Sequence, residues 1–276
     1  MNGILTIAQL TWLEARRRRI VLAAVLCGVA FLAVFATAAY FVPPRNPSAT
    51  SALLARMQLQ AMTLAGLYAV NFLAVAFAVM LPVDSLSGEI SSGVIQTIAS
   101  KPVRRVDILL GKWIVFWLML AAYLLFMVMG IVAIMRLFTG FAQQDLLPAL
   151  GLMQLEVSVL LSITIAGGVR LSTVTNGIVA FAFYMMGFLG GWIEQIGVFV
   201  GNAASRYIGT AISLVSPTDA LWRLAMHVLQ PPVMSQIPLS PFSTVSVPSM
   251  AMVWWSVAYV VATMALATRW LQRRAL

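Results

Sequence analysis

DSLSGEISSGVIQTIASKPVRRVDILLGK, residues 84–112, is a polar and basic island between two long apolar runs. Upstream, residues 60–82 carry no charge, and downstream, residues 113–135 carry none either. About 20 apolar residues suffice to cross the hydrocarbon core of a bilayer. The island therefore sits in water at one membrane face. It holds Lys101, Arg104, Arg105 and Lys112, and short loops rich in Lys and Arg stay in the cytoplasm. Leu86, Ile90, Val94, Ile95 and Ile98 fall on one side of a helix within it, which Asp84 or Ser85 is placed to cap and Pro102 to stop. Gly88 and Gly93 each cost that helix roughly 1 kcal/mol against Ala, a cost that makes sense where another protein's surface packs closely against the backbone.

Working outward, the chain has 276 residues, 62% hydrophobic and 9% charged, far more apolar than a soluble domain at about 25% charged. A net charge of +9 would suggest nucleic acid only if the basic residues shared one surface. They lie instead at the ends of apolar runs, as topology determinants do. The single cysteine, Cys27, sits inside an apolar run, which leaves no disulfide framework and no cysteine-rich metal site.

Six spans emerge, at 20–42, 60–82, 113–135, 147–168, 177–194 and 250–268, in an all-α polytopic membrane protein. Residues 1–19 form an amphipathic helix ending in Arg16-Arg17-Arg18-Arg19. We expect it to lie along the cytoplasmic interface; the plainer reading is an extension of the first span. That first span is longer than a secretory signal core and reads as a retained anchor. Gly187, Gly190 and Gly191 in the fifth span permit either a close neighbour or a bend. Residues 195–248 are too broken for a clean span and fit an external or re-entrant helix pair. There Asp219, Arg223 and His227 follow one another at i,i+4 on the polar face of a short helix. Twelve of the 17 Lys and Arg residues fall inside, and Arg45, Arg56, Arg136, Arg206 and Arg223 outside, when both termini are cytoplasmic.

Chemistry is sparse. No stretch matches the phosphate-cradling G-x-x-x-x-G-K-[ST] loop, so ATP hydrolysis is not expected on this chain. Glu156 is the one acid well inside a span, and such a charge needs a cavity or a partner. It either lines a translocation path together with Asn71 or is a structural carboxylate hydrogen-bonded to Asn71. His227 is the only histidine, too few soft ligands for a metal site and outside the spans, where no serine nucleophile can use it.

Gly88-Glu89-Ile90, Gly93, Lys101-Pro102-Val103-Arg104-Arg105, Gly111-Lys112 and a second stretch, Ser216-Pro217-Thr218-Asp219, resemble the ABC-2 type permeases, the membrane subunits of ATP-binding-cassette exporters. The resemblance implies a permease that forms the translocation path, pairs with a second permease as a dimer, and docks a cytoplasmic ABC ATPase subunit that binds ATP and Mg. It places the docking surface at Gly88, Glu89, Ile90, Gly93, Val94, Arg104 and Arg105, in a multi-pass protein of a bacterial inner or plasma membrane. No cofactor, metal or nucleic acid is expected on this chain. The competing readings are a non-transporting scaffold or anchor, and an ion-driven secondary transporter, which would want repeats and midplane ionisable pairs. The spans hold no charged cavity that selects an ion or a sugar, which favours a lipid-like or amphipathic cargo.

Overall fold

The computed structural model describes residues 3–41, 49–92, 104–230 and 246–273. Ten helices lie among them: α1 Gly3–Arg17, α2 Arg19–Tyr40, α3 Ala49–Met80, α4 Ser87–Ser91, α5 Arg105–Thr139, α6 Leu146–Gly168, α7 Thr173–Val200, α8 Ala203–Val215, α9 Thr218–Leu229 and α10 Ala251–Arg273. No strand occurs among the described residues. Six helices, α2, α3, α5, α6, α7 and α10, are long and apolar enough to cross a membrane. Helices satisfy every backbone group within the segment, which hydrocarbon demands. This is an all-α, multi-pass membrane protein.

Burial separates the spans. The apolar windows of α3 and α6 are 61% and 56% buried, while those of α2 and α10 are 17% buried. The first two form the centre of the bundle and the last two its rim. Between α5 and α6 the contact is polar as well as apolar. The indole Nε1 of Trp113 donates to Ser162 Oγ and that of Trp117 to Ser158 Oγ, both at 2.9 Å. Ser162 in turn donates to the Ser158 carbonyl and Ser158 to that of Gln154, each one turn back. Half-buried indoles and buried hydroxyl groups thus find partners across the helix pair.

One end of the bundle collects the basic helix termini. The Arg105 guanidinium donates to the carbonyls of Leu271 and Gln272 at 2.7 and 3.1 Å, and Arg170 lies 4.5 Å above the Trp270 ring. We call this end the basic face. The helices run farther than the hydropathy suggests. α5 already begins at Arg105, so Arg105–Lys112 forms the first turns of a 35-residue helix rather than part of a loop in water. At 1.5 Å per residue it is about 52 Å long, well beyond a hydrocarbon core of about 30 Å.

The fifth span also outruns its expected end at 194. It continues as one helix to Val200 and stops at Gly201, whose φ of 74° is left-handed and suits glycine. Its glycines serve close approach and not a break. A Cβ at Gly191 would collide with the Asp219 carboxylate, one at Gly190 with Ile212, and one at Gly187 would lie 2.5 Å from Ser216 Oγ. The stripe receives α8 and α9, which fold back against α7 at the opposite face. Helix α9 is buried along nearly its whole length.

Helix α1 packs one face against the bundle. Its Ile7, Thr11 and Ala15 are buried against the start of α5, where a Cβ on Gly111 would meet Ile7 at 2.9 Å. Trp12 and Leu5 remain exposed on its outer side.

Candidate functional site

The residues read as a docking surface divide into three groups. Gly93 and Val94 lie outside the described residues. Gly88, Glu89 and Ile90 stand on the five-residue α4, and Arg104 and Arg105 open α5. Helix α4 is capped differently from the expectation. Its N-cap is Leu86 and no side chain caps it, because Asp84 is engaged elsewhere: the Thr173 hydroxyl donates to Asp84 Oδ1 at 2.9 Å. Thr173 Oγ1 also lies 2.9 Å from Ser87 Oγ. These two bonds tie the α4 segment to the start of α7. The glycine at 88 answers to the same contact, since a Cβ there would lie 2.6 Å from Asp84 Oδ1.

Glu89 does not project outward. Its Oε1 accepts from Lys112 Nζ at 2.5 Å, and the two side chains are 14% and 5% exposed. The ammonium donates also to Ser85 Oγ at 2.9 Å and to the Ser85 carbonyl at 3.1 Å. A lysine has three N–H donors, and all three are used. Burial of Lys112 departs from the expectation of a watery loop; the pairing makes it tolerable, because a buried charge needs a counter-charge and hydrogen bonds. On α4, Ser91 is exposed, as are Ser92 just beyond it and Arg104 at the α5 N-cap.

At mid-bundle, Asn71 of α3 and Glu156 of α6 meet. Asn71 Nδ2 donates to Glu156 Oε1 at 3.1 Å, with the residues 2% and 0% exposed. The carboxylate has no cationic partner among the described residues, and neither Glu156 Oε2 nor Asn71 Oδ1 has a hydrogen-bond partner. The bond that the structural alternative names is thus made, across two central helices.

A third charged group, unforeseen as a group, sits at the opposite face. Arg223 on α9 contacts two carboxylates, Asp219 at 2.8 Å and Glu194 of α7 at 2.9 Å. Ser246 donates its hydroxyl to Glu194 Oε1 at 2.6 Å and accepts from Arg223 Nη1 on its carbonyl at 3.2 Å. The sequence puts Asp219, Arg223 and His227 on one polar face; the structure buries the first two and leaves only His227 exposed. Burial pushes the Asp219 carboxyl up to about 6; the Arg223 charge opposes this and Glu194 adds to it. The detectable signal was the glycine stripe of α7, which leaves room for Asp219. No group of three or more His, Cys, Asp or Glu side chains suited to a metal occurs among the described residues.

No curated protein matches the chain. Residues 5–276 match the family described as ABC-2 family transporter protein, whose members are membrane transport components and not catalysts themselves. With that match over nearly the whole chain and six apolar helices spanning the bundle, the chain belongs to the ABC-2 transporter family, as a permease subunit of an ABC-type transporter in the cell membrane.

Proposed function

We propose that this chain is the membrane half of an ATP-driven exporter, coupled through α4 and the neighbouring basic segment to a separate cytoplasmic ATPase subunit that binds ATP and Mg. Two permease copies or close relatives enclose the path. Both termini and the basic face are cytoplasmic, and the α8–α9 pair is outside. One observation carries the reading within the family: a short helix, α4, pinned by side-chain bonds to two spans at the end where the basic helix termini gather. The exposed Ser92 and Arg104 at that end supply contact, and the surface that the sequence suggests includes Gly93 and Val94.

The test is purification of the tagged chain from its native membrane and reconstitution in lipid vesicles. The expected result is a co-purifying subunit that carries the G-x-x-x-x-G-K-[ST] loop, with vanadate-sensitive ATP hydrolysis. A chain that purifies without such a subunit overturns the reading. Orientation is checked on a Cys27→Ala background: a membrane-impermeant thiol reagent outside intact cells should label Ser240→Cys and miss Ser92→Cys.

A further inference from the structure

Resting on the coupling role just proposed, we propose that Glu89 and Lys112 are positioning residues that make the docking helix and span α5 one mechanical body. Helix α4 has five residues, too few to hold helical structure by itself. Its place is therefore set by what its side chains grip. All three donors of the buried Lys112 ammonium go to the one segment that carries α4: Ser85 O, Ser85 Oγ and Glu89 Oε1. Lys112 stands in the third turn of α5. A displacement of α4 thus reaches α5 through three hydrogen bonds and an ion pair.

The chemistry argues for more than adhesion. A buried ion pair gives up in desolvation much of what it gains in attraction, and apolar residues of similar size hold two elements together at least as well. What apolar contact does not supply is a unique register. An ammonium satisfied by three acceptors in fixed directions accepts one placement of α4 on α5, whereas packed methionines slide. The same segment is bonded on its other side to Thr173 at the start of α7, so a push on α4 is shared between two spans. Glu89 Oε2 is buried and, among the described residues, without a partner, which marks the side chain as turned into this chain and away from a docked subunit.

The test separates adhesion from transmission. Losing one partner strands a buried charge, but Glu89→Met with Lys112→Met removes both and preserves packing. Spin labels at Ser91→Cys on α4 and Leu137→Cys, 80% exposed near the far end of α5, are set in a Cys27→Ala background. Leu137 stands about 38 Å along the helix from Lys112. The distance is measured in the vesicle-reconstituted complex, nucleotide-free and trapped with ATP, Mg and vanadate. With the pair intact the distance should be narrow and equal in both states. In the double variant it should broaden or shift by several ångströms on trapping, with ATPase capture and thermal stability unchanged. A distance that changes in the intact pair, or stays narrow in the double variant, overturns the proposal. So does release of the ATPase by the double variant, which would make Glu89 a docking contact. If the unsubstituted chain captures no ATPase, the coupling reading itself fails and this inference falls with it.

Discussion

At the basic face one ammonium meets one carboxylate, Lys112 with Glu89, and the pair is electrically neutral. At the opposite face one guanidinium meets two carboxylates, Arg223 with Asp219 and Glu194, and the group carries an excess negative charge when all three are ionised. The first bridges residues 23 apart and holds a short helix on a span. The second joins α7 to a folded-back helix that is itself buried. In the overfilled cluster, burial and the second carboxylate both favour protonation of Asp219, against the pull of Arg223. The two ends of the same bundle are thus suited to different work, one to fixed register and one to adjustable charge.

The largest effect expected from breaking this contrast comes from Arg223→Met. It strands two carboxylates where Lys112→Met strands one. Removing one partner of a buried pair costs about 3–5 kcal/mol, and the Arg223 variant should cost at least as much as the Lys112 variant. Thermal unfolding in detergent, read by fluorescence, ranks them. The reverse order would mean that the opposite-face cluster is held mainly by apolar packing.

Next in size is Gly191→Leu. The added side chain enters the space of the Asp219 carboxylate, and overpacking costs about 1–3 kcal/mol. Trypsin should then cut near the α8–α9 pair sooner than in the parent, with no change at Arg104. Equal cleavage rates at both sites would break the link between the glycine stripe and the charge cluster.

The acid range sharpens the comparison further. The Asp219 carboxyl is raised from 3.8 to about 6 by burial, against the pull of Arg223. A folded-state value above the unfolded one means that the native protein holds the proton more tightly. The stability contributed by this group is fully present below about 3.8 and lost as pH rises through about 6. Asp219→Asn should flatten the pH dependence of the melting temperature between 4 and 6, and the Glu89→Met and Lys112→Met pair should leave it in place. A parent protein with a flat profile over that window would remove the distinction between the two ends.

The smallest effect is expected at the buried carboxylate outside both charged groups, Glu156. It has an amide partner and, among the described residues, no cation, so Glu156→Gln retains an oxygen to accept from Asn71. Assembly, melting temperature and ATP-dependent activity in vesicles should stay near parental values. A folded variant without activity would assign the carboxylate to the translocation path.

How much of this was legible in the sequence depends on whether the signal is local. The six spans were, because uncharged runs of some 20 residues admit few other readings. The Asn71–Glu156 bond was named as one alternative, since the two are rare polar residues facing each other on long apolar helices. The indole-to-hydroxyl bonds of Trp113 and Trp117 with Ser162 and Ser158 were not, since neither residue is unusual in a membrane helix and nothing in a single chain's periodicity states the pairing. The burial of Lys112 was missed for a related reason. A lysine at the edge of an apolar run reads as an anchor in water until the acid that meets it, 23 residues away, is placed. Likewise Asp219 and Arg223 have the spacing of an exposed i,i+4 pair, and only Glu194 and the glycines of α7 disclose a buried one.

Helix α5 is longer than the bilayer requires, and that length acts as a lever. Its third turn is gripped at the basic face while its far end stands about 38 Å away. When α4 and α5 turn together about the grip at Lys112, a tilt of about 10° carries Leu137 sideways by about 7 Å at that length. Sliding of packed helices accommodates rotations of this kind without repacking a core. A displacement of an ångström or two at the short arm is therefore geared up, at the other surface of the membrane, to the width of a hydrocarbon chain.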